Sequence, residues 1–328
     1  GCASGSARTP AAAFARADRS VSAAEKDAIR YAARRIRVFH ERTMISATRD
    51  GGLYPEGGAL LGEITRPLRR VGVHVPAGTR PLPSSLLMAA IPAQVAGVKE
   101  IAVVSPPKSE SVPHPAILFA ARILGIREVY AVGGAQAIAA LAYGTKTIRP
   151  VDKIVGPGSA YVDEAKKLVY GVVDIDLPAG PSETALIADE TTDVADAFAD
   201  FASQLEHDGS TGVVISVSNR FLSKFEALWR RSPYREHAAS WSVLVRTIDD
   251  AIDLSNLFAP EHLQIMTRDA ARHLSRVENA GAVLLGRFTP VPLSDYVAGP
   301  NHTLPTAGSA RPFSGIGVQT FLKRIHVV

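Results

Sequence analysis

Cysteine is almost absent from this chain of 328 residues: Cys2 is the only one, so no disulfide can form within it. That usage fits a reducing compartment, and a cytoplasmic location is expected. Aromatic residues are scarce at 6%, with 2 Trp and 11 Phe, so a core must be built mainly from aliphatic side chains. No apolar run reaches the roughly 20 residues that a membrane-spanning helix needs. The opening stretch, GCASGSARTPAAAFARADRS, has no apolar signal core and no initiator Met. Residues 1–19 are read as a disordered leader on a trimmed or fragmentary chain. Excess charge is also small: 36 Lys and Arg against 32 Asp and Glu leave a net +4. The arginines are dispersed, so neither a nucleic-acid partner nor a membrane partner is expected. A mild positive field instead suits an anionic small molecule.

What is present is an ordinary globular composition, 46% hydrophobic and 21% charged, in a chain long enough for two α/β domains. Ser22 and Glu25 form a capping-box pattern before a helix whose apolar positions recur at Ile29, Ala33, Ile36 and Phe39. A glycine-rich turn and a strand-like stretch over residues 60–65 follow. From about residue 71, strand and helix alternate. Strand candidates lie at 71–75, 101–105, 128–132, 152–156 and 173–177, then at 184–188, 212–217, 242–246, 262–266 and 282–286. Helical patterns separate them at 84–97, 115–125, 135–143, 160–170, 193–207, 219–231, 248–258 and 269–279. The alternation predicts α/β architecture: two Rossmann-like domains with mostly parallel sheets and right-handed crossovers, one domain inserted in the other. The expected division groups residues 20–72 with 184–308 and makes 73–183 the inserted domain, with a seam near Ala179-Gly180-Pro181.

Three short strings carry candidate chemistry. Gln204 and His207 stand three residues apart near a helix end, so they project from one face. They could hold a metal, although a histidine at a helix end is commonly a dipole-neutralising cap, and glutamine is an unusual zinc ligand. Glu261 and His262 are adjacent. Successive strand residues point to opposite faces, so both serve one site only if Pro260 turns the backbone there. Asp295 and His302 flank Gly299-Pro300 on a long non-periodic segment. Loop residues of these types often only stabilise turns. Two glycine turns, Gly133-Gly134 and Gly156-Pro157-Gly158, each join a strand to a helix. That geometry cradles phosphate, but neither turn is a G-x-G-x-x-G fingerprint, and tight packing explains them equally well.

Taken together, GGAQAIAALAYGT (133–145), KIVGPGSAYVDEAKK (153–167), DLPAGPSE (176–183), SQLEHDG (203–209), APEHL (259–263) and DYVAGPNHTLPT (295–306) closely resemble the L-histidinol dehydrogenase family, in order and spacing. The resemblance implies a zinc-dependent homodimer that oxidises L-histidinol to L-histidine through the aldehyde, in two hydride transfers to NAD. It implies Gln204, His207 and Asp295 as zinc ligands. It makes His262 the base for the hydroxyl proton and Glu261 the base that activates water. Ser182, Gln204, His207, His262, Asp295 and His302 match substrate-contacting positions, and His74, Gln136 and Ser159 match dinucleotide positions. The family usually has Tyr at the place of His74, Gly at Ala77, Asn at Ser159, and a small residue at Arg80. Those departures lead to an expectation of weak NAD binding. The resemblance also implies a segment beyond Val328, carrying a fourth zinc ligand and a substrate-contacting Glu from the partner subunit. Residues 309–328 read as the start of that segment, and His326 as a weak substitute ligand. Two competing readings remain: a paralogue oxidising another small alcohol, an anionic one included, and a non-catalytic remnant.

Overall fold

The computed structural model describes residues 7–47, 52–77, 81–108, 112–177, 180–206, 209–236 and 238–328. Chain contacts divide it into two units. The first comprises Gly1–Asp176, Tyr296–Thr303 and Ile316–Val328, and the second Leu177–Asp295 and Leu304–Gly315.

The first unit begins with α1 (Ala11–Ser20) and α2 (Ala23–Ala47). The capping box forms as its sequence implies: Ser22 Oγ accepts the Glu25 N–H, and Glu25 accepts the Ser22 N–H at 3.0 Å. A hairpin follows, β1 (Leu53–Glu56) and β2 (Ala59–Pro67), turning at Gly57-Gly58 with φ of 57° and 88°. Two successive left-handed residues suit a hairpin turn and favour glycine. Then come β3 (Arg70–His74), α3 (Pro83–Ala96), β4 (Glu100–Ser105), α4 (Pro115–Ile123), β5 (Val129–Ala131), α5 (Gly134–Tyr143), β6 (Lys153–Val155), α6 (Ala160–Val169) and β7 (Asp174–Ile175). The five strands β3–β7 form a parallel sheet in the order β5-β4-β3-β6-β7. Every residue of β3 is buried, as a strand covered on both faces requires. One face packs Ala102, Val104 and Ile154 against Ile138, Leu141 and Val162 of α5 and α6.

The second unit repeats the pattern with β8 (Glu183–Ala188), α7 (Val194–Gln204), β9 (Thr211–Ser216), α8 (Asn219–Trp229), β10 (Ala239–Leu244), α9 (Ile248–Phe258), β11 (His262–Ile265) and β12 (Ala282–Leu285). Its sheet is parallel in the order β10-β9-β8-β11-β12. Relative to its own first strand, this is the same order as in the first unit. Leu186 and Ala188 face Phe201, Phe221 and Phe225 of α7 and α8, whereas Ala185 and Ile187 face Ala251 and Ile252 of α9. Strand alternation thus makes two apolar faces from one continuous apolar run.

The α/β architecture of two Rossmann-like sheets is as expected, and one unit does interrupt the other. The direction of the interruption is reversed. Residues 177–295 divide the first unit, and residues 20–72 belong with β3–β7, because α2 packs on α3 and α4. α3 is apolar around its circumference, and ten of its residues are buried, so it needs a second cover beyond the sheet. The leader reading fails for residues 7–19. Thr9 N–H donates to Val129 O at 2.8 Å, Arg8 bridges Tyr130, and α1 packs on α4 through buried Ala13 and Ala17. Alanines permit that close approach, and the Arg122–Asp18 pair at 2.6 Å adds to it. The expected helix at 269–279 is a 3₁₀ segment, Ala270–Arg276. β13 (Leu322–Val327) closes a small antiparallel sheet with β1 and β2, pairing His326 with Glu63.

Candidate active site

The chemistry-bearing side chains of the second unit gather at the amino ends of its strands. α9 ends at Ala259, which takes a left-handed conformation (φ 53°, ψ 59°) and donates its N–H to Ser255 O. Pro260 and Glu261 then turn into β11. A Cβ on Gly281 would come within 2.6 Å of Glu261 O, so glycine is needed where β12 approaches. The turn lets Glu261 and His262 both point inward, at 8% and 3% exposure. Glu261 Oε2 accepts the N–H of Glu183 at 3.1 Å, which fixes the carboxylate against the start of β8. His262 Nδ1 lies 3.8 Å from Glu261 Oε2, and its Nε2 lies 3.3 Å from Asp295 Oδ1. Neither approach is an aligned hydrogen bond, so the ring is held electrostatically between two carboxylates. Asp295 sits in a π-helical turn, Ser294–Ala298, a rare conformation that recurs at functional sites.

Burial and like charge set the protonation of this group. Burial pushes the Glu261 carboxyl up to about 7, with repulsion from Asp295 and Glu183 adding to it and His262 opposing it. For His262, burial alone would lower the pKa. The Asp295, Glu261 and Asp200 carboxylates outweigh that, and the value lies above the ordinary one. Burial likewise raises Asp200, against N–H donation from Val291, and raises Glu183, against N–H donation from Gly308 and Ala307. No lysine or arginine takes part in any of these shifts. Asp295 Oδ1, Asp200 Oδ2 and Glu183 Oε2 are buried without a hydrogen-bond partner. Oxygen donors in excess, with surplus negative charge, fit a divalent cation. Among the described residues no three His, Cys, Asp or Glu side chains close into a metal-binding group. The expected set counts an amide, Gln204, and His207, which lies outside the described residues.

In the first unit the corresponding features stand at the carboxyl ends of the strands. His74 ends β3 and Gly156 follows β6, where the strand order changes direction, the usual place for a ligand in an open α/β sheet. Gly156 has φ 112°, and a Cβ there would lie 2.1 Å from His74 O. Three side chains fix the turn. Asp176 Oδ2 accepts the Gly156 N–H at 2.7 Å, Lys166 Nζ donates to Gly156 O at 3.2 Å, and His74 Nδ1 donates to Pro157 O at 2.8 Å. Lys166 and Asp176 also pair with each other, and their side chains are 2% and 0% exposed. α5 and α6 begin here with Gly133 and Ser159 as N-caps, and neither has a side-chain cap bond. Their first-turn N–H groups fit an anionic ligand such as a dinucleotide phosphate.

The expected residues therefore divide between the units. Ser182, Gln204, Glu261, His262 and Asp295 stand in the second unit, and contacts join Glu261, His262 and Asp295 directly. Gln204 is buried at the last residue of α7, which runs back to the amino edge of the sheet. Ser182 is half-buried immediately before β8. His74, Gln136, Ser159 and His302 stand in the first unit. Gln136 and Ser159 are exposed at the starts of their helices. His74 departs from its expected role. At 2% exposure the ring lies under the Gly156-Pro157 turn and presents no face for stacking. Burial lowers its pKa, so it acts as a neutral donor to that turn. Arg80 lies outside the described residues, and His326 pairs with Glu63 at 3.1 Å on the antiparallel sheet. Sequence reasoning missed Asp200, Glu183, Lys166 and Asp176. The signal for Asp200 was a carboxylate between Ala197 and Phe201 on the apolar stripe of α7.

The family model described as histidinol dehydrogenase matches residues 3–328. A histidinol dehydrogenase of Moorella thermoacetica is 45% identical over 321 residues, 94% of this chain and 75% of the relative. One from Geobacillus kaustophilus is 44% identical, over 95% of this chain and 76% of the relative. The crystal structure of histidinol dehydrogenase from Elizabethkingia anophelis is similar with a TM-score of 0.89 and 34% identity, covering 99% of this chain and 78% of that one. An acetylating aldehyde dehydrogenase from Geobacillus thermoglucosidasius shares the fold alone, at a TM-score of 0.55 and 14% identity, covering 97% and 94% of the two chains.

Proposed function

The chain belongs to the histidinol dehydrogenase family, and from that premise we propose that it oxidises L-histidinol to L-histidine through the aldehyde, with NAD as acceptor and a zinc ion held by Gln204, His207 and Asp295. The observation that carries this reading is the buried Glu261–His262 pair, with Asp295 against the imidazole. When bound, zinc supplies a Lewis-acidic anchor for substrate donor atoms and NAD supplies an acceptor for hydride. The remaining work falls to side chains of this chain. His262 takes the hydroxyl proton in each oxidation. Carboxylates on both sides of its ring stabilise the imidazolium that results. Glu261 activates the water that adds to the aldehyde. A carboxyl poised at about 7 can accept a proton near neutrality and release it again. Its Oε2 is held by the Glu183 N–H, which leaves Oε1 as the oxygen for the water in this reading. Ser182 contacts the substrate in this reading, and Gln136 with the capless N-termini of α5 and α6 receives the dinucleotide.

The test is NAD reduction by the purified chain with added zinc, with L-histidinol set against a panel of small alcohols. Formation of histidine with two NADH per histidinol is expected. Preference for another alcohol would support the paralogue, which has lost the support of an altered stacking residue at position 74. Zinc or NAD binding without turnover of any alcohol would support a non-catalytic protein.

A further inference from the structure

We propose that Asp200 is a positioning residue that bolts α7 to the turn carrying Asp295, and so sets the spacing of two candidate metal donors. The proposal rests on the zinc reading above and deepens it. Asp200 Oδ1 accepts the N–H of Val291 at 2.9 Å. Asp200 is 6% exposed and Val291 1%, so the bond is shielded from water. It joins two helical segments at matching places. Asp200 lies four residues ahead of Gln204 on α7, and therefore on the same face. Val291 opens the short helical stretch that runs into Ser294–Ala298, four residues ahead of Asp295. One bond thus fixes each segment about one turn away from its donor.

Nothing else in the sequence requires a carboxylate there. Its neighbours on the stripe, Ala197 and Phe201, pack in the core, and an apolar residue at position 200 would continue that face. Burial instead pushes the Asp200 carboxyl upward, a cost that a purely structural position would avoid. Its carboxylate also faces the Gln264 side-chain amide, which opposes the effect of burial. The carboxylate is therefore turned toward the polar group around His262 as well as toward Val291. Groups that orient metal ligands from behind typically cost about 10–100-fold in metal affinity when removed.

The experiment measures the zinc affinity of the full chain by competition with a chromophoric chelator, together with hydrogen exchange at the Val291 amide. Asp200→Ala removes the acceptor and should weaken zinc binding by about 10–100-fold while speeding exchange at Val291. Asp200→Asn keeps a carbonyl acceptor and should rescue both readings to near the parent. Val291→Pro removes the donor, in a first helical position that tolerates proline, at the cost of the buried valine side chain, and should weaken zinc as Asp200→Ala does. It also serves if Asp200→Ala does not fold. Unchanged zinc affinity in the folded Asp200→Ala or Val291→Pro chain would overturn the proposal. So would equal loss in Asp200→Asn and Asp200→Ala with Val291→Pro unaffected, since charge rather than the bond would then act. If the parent chain binds no zinc, the zinc reading fails. Exchange at Val291 then still decides whether this bond fixes the turn, with equal rates in the parent, Asp200→Ala and Asp200→Asn counting against it.

Discussion

The two five-stranded sheets share one strand order, yet their chemistry sits at opposite edges. In the β3–β7 sheet the glycine turns, the Lys166–Asp176 pair and the capless starts of α5 and α6 stand at the carboxyl ends of the strands. In the β8–β12 sheet Glu261, His262, Glu183 and the end of α7 stand at the amino ends. The helix dipole gives this difference a reason. Helices run back against parallel strands, so carboxyl edges collect helix N-termini and amino edges collect helix C-termini. The first suit anions and the second suit cations. One topology used at both ends thus offers one edge suited to an anion and another suited to a cation. The lesson is that strand order alone does not locate a site.

The strongest way to break this comparison is to disable one edge and read the other. Replacing His262 by Asn should lower histidinol oxidation by about 10²–10⁴-fold while NAD affinity, read by calorimetry, stays at the parent value. A parallel loss of NAD affinity would show that the edges are not separate devices. The reverse experiment is Lys166→Met. It leaves Asp176 buried and unpaired, and should cost about 3–5 kcal/mol in denaturant unfolding. A loss under 1 kcal/mol would mean that the Gly156 turn does not depend on that pair.

A smaller effect is expected from pH. The Glu261 carboxyl is raised from its ordinary 4.5 to about 7 in the folded chain, so the folded state holds the extra proton between those values. Its contribution to stability is complete below about 4.5 and is lost as pH rises through about 7. Glu261→Gln should flatten part of that loss and leave the variant more stable than the parent at pH 8, by roughly 1–3 kcal/mol. Glu183, Asp200 and His262 are shifted in the same direction and retain the remaining slope. Thermal melting across pH 5–8 checks this, and an unaltered profile would remove Glu261 from the account. The smallest effect concerns Ala259, one of two non-glycine residues with positive φ among those described. Ala259→Gly should relieve up to about 1 kcal/mol of backbone strain. Destabilisation instead would mean that the buried methyl group packs well enough to outweigh it.

Much of the fold was legible because both sheets are covered on both faces, and burial of that kind writes continuous apolar runs such as residues 101–104 and 185–188. The candidate catalytic pair was legible as chemistry, since Glu261-His262 after a proline is distinctive at any depth in the fold. Local signals also marked the Ser22–Glu25 capping box and a glycine-rich turn, though not the hairpin that the turn closes. Residues 11–20 were not legible. An alanine-rich helix shows little periodicity, and only α4 beside it reveals why small residues are needed. His74 was legible as a departure but not as a buried donor to Pro157.

The sequence by itself determined most strands and helices of the two parallel sheets, and marked Glu261, His262 and Asp295 as candidate chemistry, because those readings depend on neighbours a few residues away. Tertiary structure alone decided which unit claims α2, which edge of each sheet carries chemistry, and that Asp200 meets Val291 across 91 residues. Those outcomes depend on burial and charge between segments far apart in the chain, and no local pattern encodes that distance.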